Sequence, residues 1–111
     1  MNRYLEERPF SAVTGPDGRT LVVSGVIDEL AVDDFRRELQ RCVNGSSDAV
    51  VVDLSDVDLL PSMAVGVLVG AMNDDRVSVT AVARKGCFAA AVLSVCGVPF
   101  ETREEGPKRT K

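Results

Sequence analysis

Residues 50–71 read VVVDLSDVDLLPSMAVGVLVGA, and this stretch decides the fold. With Ala49 in front, Val50-Val51-Val52-Asp53-Leu54 is a short β-branched run without polar alternation, the pattern of a strand that is central in a sheet or covered on both faces. Ser55 to Pro61 reads as a loop, and a helix follows that starts near Ser62 and stops at Asn73 to Asp75. Met63, Ala64, Val65, Val67, Leu68, Val69, Ala71 and Met72 put apolar side chains all round that helix. A helix apolar on every face is either wholly buried or meets a partner with its second face. A one-layer sheet of 111 residues gives little room for complete burial, so partner contact is the expectation. The bland alternative is a few scattered surface valines, and a contiguous patch distinguishes the two. On this reading Val65→Asp or Val69→Asp abolishes partner binding and leaves the domain folded.

Upstream, Phe10–Val13 and Leu21–Val26 flank the turn Gly15-Pro16-Asp17-Gly18 and predict a hairpin. Val32, Phe35, Leu39, Cys42 and Val43 then recur at three- and four-residue spacing, which makes one face of a helix that Asn44-Gly45 ends. Acidic residues crowd its start and Arg36, Arg37 and Arg41 its later turns, as the helix dipole favours. Downstream, Val77–Ala83 predicts a fourth strand, Gly86–Cys96 a third helix with Gly97 as its stop, and Val98–Thr102 a last short strand. The order β-β-α-β-α-β-α-β predicts an α/β fold: a mixed sheet of about five strands, an N-terminal antiparallel hairpin continued by right-handed crossovers, with about three helices packed on it. Residues 1–103 are expected to form one domain and residues 104–111 a disordered tail.

Composition narrows the function. Hydrophobic residues make up 45% and charged residues 27% of the chain, an ordinary globular balance. Seventeen acidic against thirteen basic residues leave a net charge of -4, so a nucleic acid is not an expected partner. The apolar run Met63–Met72 is about half of what crosses a bilayer, and MNRYLEERPF lacks an apolar signal core. The expectation is a soluble cytoplasmic protein without a membrane partner. Cys42, Cys87 and Cys96 show no C-x-x-C spacing, and without histidine the common zinc patterns cannot be assembled. All three cysteines are expected to be buried small hydrophobes. Cys87, at the start of the third helix, is the one whose thiol a helix dipole could activate. No metal or cofactor is expected. With no histidine base, no glycine-rich phosphate loop and no recognised nucleophile setting, the sequence argues against an enzyme.

Taken together, Asp53-Leu54-Ser55, Ser62 and Val65-Gly66-Val67-Leu68 resemble the signature of the STAS family of anti-sigma factor antagonists. There an apolar strand ends in Asp-Leu-Ser and a short loop leads to Asp-Ser-Ser-Gly, Leu-Gly and an apolar helix. Gly25-Val26-Ile27-Asp28 falls where that family has Gly-Glu-Leu-Asp. The resemblance implies a STAS-like fold and a bacterial regulator of transcription. It also implies partner switching: the unmodified antagonist binds an anti-sigma factor that is itself a GHKL-type serine kinase, frees the sigma factor, and is released by phosphorylation of the first motif serine, here Ser62. Three positions depart from the pattern, with Pro61 in place of the motif Asp, Met63 of the second hydroxyl residue and Ala64 of the Gly.

The expected partner-binding surface comprises Asp28, Ser55, Asp56, Pro61, Met63, Ala64, Val65, Gly66, Val69 and Met72 around the phosphoacceptor Ser62. A phosphate there adds roughly -1.5 to -2 charge, which the dipole of the second helix favours and which Asp56 and Asp58 oppose. Each residue also has a plainer reading: Ser62 as N-cap of the second helix, Asp28 as cap or first-turn charge of the first, Asp53 as a strand-end turn residue. The rival function is a STAS subunit of a signalling scaffold or transporter accessory complex that is never phosphorylated. The free protein is expected to be a monomer that forms heteromeric complexes.

Overall fold

The computed structural model describes residues 8–46 and 48–103. The elements run β1 (Ser11–Thr14), β2 (Thr20–Val26), α1 (Glu29–Asn44), β3 (Ala49–Leu59), α2 (Ser62–Met72), β4 (Ser78–Arg84), α3 (Phe88–Cys96) and β5 (Glu101–Arg103). They build one five-stranded sheet in the order β1-β2-β3-β4-β5. β1 and β2 are antiparallel, and the pairs β2–β3, β3–β4 and β4–β5 are parallel. The mixed sheet with an N-terminal hairpin and three helices is the architecture that the sequence predicts. The expected tail from residue 104 lies outside the described residues.

Alternation along the strands sets the layers. Leu21 and Val23 of β2, Val50, Val52 and Leu54 of β3, and Val79, Ala81 and Ala83 of β4 are buried, and the register places them side by side on one face. α1 covers that face with Ala31, Val32, Phe35, Leu39, Cys42 and Val43, the predicted stripe extended by one alanine. Each fully buried aliphatic or aromatic side chain contributes about 1.5–3 kcal/mol, and one contiguous cluster holds them all. At Gly25 and Gly97 the backbone itself requires glycine. Gly25 has φ +83, and a Cβ there would lie 2.1 Å from the carbonyl oxygen of Pro9, so the chain before β1 is seated directly on the end of β2. Gly97 closes α3 in the left-handed conformation, with Val98 N–H donating to the Leu93 carbonyl at 2.9 Å.

Four local expectations need correction. β3 does not end at Leu54 but continues through Ser55–Leu59, because β2 goes on pairing with it (Ser24 with Asp56, Gly25 with Val57, Val26 with Leu59) across two register shifts. Asp53 is therefore mid-strand and buried, paired with Arg103 and accepting the Ser55 N–H at 3.0 Å, and is not a strand-end turn residue. β5 begins at Glu101 rather than Val98, because Val98 closes the α3 cap and Pro99 has no N–H for a ladder. The cysteines do not share one fate. Cys42 is buried, where burial and then Asp17 push its thiol above the usual range. Cys87 is half-buried at the N-cap of α3, its sulfur accepting from the Ala90 N–H at 3.4 Å. Cys96 is exposed, at the last residue of α3.

Candidate functional site

The starts of α1 and α2 meet at one end of the sheet, where β2 and β3 finish. Asp28 is the N-cap of α1, and its carboxylate accepts the Ala31 N–H at 2.9 Å, as the plainer reading of that residue expects. The β2–β3 ladder runs on to the same place, since Ile27 N–H donates to the Leu59 carbonyl at 3.2 Å. Leu60 then turns into the core, and Pro61 delivers the chain to α2.

Ser62 is not the N-cap of α2. Pro61 takes that position in an extended conformation (φ -73, ψ 164), supplies no side-chain cap, and its carbonyl accepts the Val65 N–H at 3.0 Å. Proline's fixed φ fits the extended entry, which moves the first helical residue to Ser62. The Ser62 side chain is exposed, and among the described residues its hydroxyl makes no hydrogen bond. The first-turn N–H groups of α2 lack intrahelical partners, so this end of the helix presents a free hydroxyl and free donors together.

α2 is less uniform than its composition suggests. Ala64 (0% exposed), Val65 (8%) and Leu68 (0%) belong to the core. Val65→Asp thus places a carboxylate inside the protein, and the expectation that this variant stays folded is overturned. Ser62, Gly66 and Gly70 are exposed at four-residue spacing, Val67, Val69, Ala71 and Met72 are half-buried, and Met63 is 60% exposed. Of the residues expected to meet a partner, Ser62, Met63 and Gly66 lie outward, Val69 and Met72 lie partly so, and Ala64 and Val65 support the surface from behind.

Two grooves flank this helix. One, of about 410 Å³, lies between α1 and α2 and is lined by Leu39, Gln40, Met63, Gly66, Val67 and Gly70, among others. A second, of about 450 Å³, lies between the starts of α1 and α2, with Ile27, Val32 and Pro61 beneath and Leu30, Leu59 and Met63 around its mouth. Leu30 is 84% and Leu59 42% exposed. Met63 lines both grooves, which together form one trough past Ser62, with Arg36, Gln40 and Asp74 among the apolar residues of the first. The exposed residues Leu30, Leu59 and Met63 share one groove rather than standing singly.

Sequence reading did not single out Leu30 or Leu59. The signals were present: Leu30 falls off the Val32-Phe35-Leu39 stripe of α1, and Leu59 and Leu60 are adjacent residues of which an extended chain buries only one. Four arginines were also missed as site-forming groups. Arg84 pairs with Asp56 at 2.8 Å, and Arg103 with Asp53. Arg8 grips Asp58 through both carboxylate oxygens at 2.7 and 2.9 Å and also reaches the Asp56 carbonyl. The hydrogen bond from Arg8 holds the Asp58 carboxyl below the usual carboxylate range. On the flank of the trough, Arg76 binds Asp74 at 2.8 Å. Asp56 and Asp58 are thus neutralised in place, and the opposition to a phosphate that the sequence assigned to them is offset. Ser55, placed on the expected partner surface, is buried with its hydroxyl bound to β4; it shapes the site without presenting itself.

The STAS domain model matches residues 11–83. The fold is similar to the crystal structure of an anti-sigma factor antagonist from Mycobacterium paratuberculosis, with a TM-score of 0.70, 23% identity, 84% of this chain covered and 86% of that one. No curated protein sequence matches the chain. Among the described residues no helix is long and apolar enough to cross a membrane.

Proposed function

The chain belongs to the STAS domain family, and from that premise we propose that it is an anti-sigma factor antagonist that binds an anti-sigma factor, a GHKL-type serine kinase, through the β3–α2 region. The observation that carries this reading is the exposed Ser62 at the first turn of α2, bordered by Met63 and the trough that Met63 joins. Membership supports a protein partner, and the similar fold of a known antagonist supports the kind of partner.

In this reading Ser62 is the phosphoacceptor and phosphorylation is the release signal. Three features support it: the hydroxyl is free, it stands clear of the core, and the uncapped first turn of α2 offers N–H donors and a dipole to a phosphate. The added charge lies against Met63 and the trough, so it desolvates poorly in an apolar contact and dissociates the complex. A second reading, an unphosphorylated STAS subunit of a scaffold or transporter accessory complex, is favoured by Pro61 and Met63, which replace the acidic and hydroxyl neighbours of the family serine.

A pull-down from native cell extract with wild-type and Ser62→Glu baits, read by mass spectrometry, separates the two. Recovery of a histidine-kinase-like ATPase by wild type alone, with phosphate on Ser62 of the endogenous protein, is the expected result. Equal recovery of a partner by both baits with Ser62 unmodified gives the subunit reading instead.

A further inference from the structure

The apolar groove at the start of α1 has a chemistry of its own. Its mouth is made by Leu30, Leu59 and Met63, each solvent-exposed although each is a large hydrophobe. Among the described residues nothing covers them, and Leu30 stands on the first turn of α1, where a polar residue would cost the helix nothing. Among the described residues the only charges on the rim are Asp28 and Glu29. Among the described residues Glu29 makes no ion pair, in contrast to Asp56 and Asp58 of β3, which are bound by Arg84 and Arg8. The groove is therefore an apolar socket with one unneutralised acidic lip.

We infer that this socket receives a single large aliphatic or methionine side chain from a protein partner, flanked on the partner by a lysine or arginine that meets Glu29. This rests on the reading that the chain works by binding a protein, and it adds which residues anchor that partner. Charge decides among the occupants. A second copy of the chain, at net charge -4, brings Glu29 and Asp28 against Glu29 and Asp28, whereas a basic flank is attracted. A free small molecule is a poor fit, because such ligands are enclosed over most of their surface and the three mouth residues remain largely open to solvent. A buried aliphatic anchor ringed by polar contacts is how protein interfaces concentrate their affinity.

The test uses the 15N-labelled protein and two helical peptides of about 15 residues that share an apolar face centred on leucine and differ only in flanking charge, lysine in one and glutamate in the other. The lysine peptide is expected to bind saturably, shifting the amide signals of Ile27, Leu30, Leu59 and Met63, and the glutamate peptide to bind at least about tenfold more weakly. Leu30→Ser, at a position too exposed to disturb the fold, is expected to weaken the lysine peptide about tenfold or more, and Glu29→Lys to reverse the peptide preference. The inference is overturned by absent lysine-peptide binding, equal binding of both peptides, shifts confined to other surfaces, or an unchanged affinity in Leu30→Ser. Concentration-dependent broadening of the same signals without peptide overturns it in favour of a second copy. Neither peptide involves phosphorylation, so failure of the Ser62 switch leaves this result standing, and failure here leaves the switch to its own test.

Discussion

The backbone N–H of Arg84 donates to the hydroxyl oxygen of Ser55 at 2.8 Å, while the Arg84 guanidinium reaches Asp56 at 2.8 Å and the Ser55 carbonyl at 3.4 Å. The β3–β4 ladder has its last rung at Asp53 and Val82, so the Ser55 side chain supplies the acceptor that β4 loses when β3 turns aside. This one residue pair lets β3 run on toward the site without leaving a buried donor unmet.

Ser55→Ala removes that acceptor and leaves the Arg84 N–H unsatisfied in a part-buried place. The expected cost is about 1–3 kcal/mol, read as a shift of the urea midpoint with unchanged slope. A change within about 0.5 kcal/mol would show that water replaces the hydroxyl there.

Val65 and Met63 are two residues apart in sequence and opposite in consequence. Val65→Asp buries a carboxylate in the core and is expected to cost about 3 kcal/mol or more, so that the far-ultraviolet circular dichroism and melting transition change together. Met63→Asp leaves both near wild type, because the side chain stands in solvent.

Gly66 and Gly70 lie inside α2 with open space where a Cβ would stand. Internal packing gives no reason for either glycine, and glycine costs a helix about 0.5–1 kcal/mol relative to alanine. Gly66→Ala and Gly70→Ala are each expected to raise the melting temperature by a few degrees. If the bare face of α2 is a contact surface, the same variants lose partner affinity while gaining stability.

Hydrogen bonds from the Arg76 side chain, and then from its backbone, hold the Asp74 carboxyl down to about 2. A folded-state value below the ordinary one near 4 means that the interaction is fully present above about pH 4 and is lost as pH falls through about 2. A carboxyl-detected NMR titration checks this directly. Arg76→Ala is expected to return Asp74 toward the ordinary value and to remove its share of the acid-side decline in stability.

Helix α1 and the sheet core were legible because their signals are local. Phe35, Leu39 and Val43 declare a helical face, and Val50 to Val52 declare a central strand, whatever lies elsewhere in the chain. The second half of β3 was not legible, since Ser55-Asp56-Val57-Asp58 has the composition of a loop. Its strand conformation depends on Ser24, Gly25 and Val26, with Arg8 and Arg84 holding the aspartates, all distant in sequence. Ser62 could be placed at the start of α2 from its spacing. Its position inside the first turn rather than at the cap follows from how Pro61 enters the helix. The socket at Leu30 and Leu59 joins the ends of α1 and β3, and no periodicity within either element announces it.

A phosphate on Ser62 is proposed to dissolve the complex formed by the start of α2. It is tested by calorimetric titration of the partner recovered by the wild-type bait, purified, with the unmodified protein and with the protein phosphorylated at Ser62. Tight binding of the unmodified form is expected, and an affinity lower by about a hundredfold or more for the phosphorylated one, a difference of about 2.8 kcal/mol. Equal affinity of the two forms would contradict it.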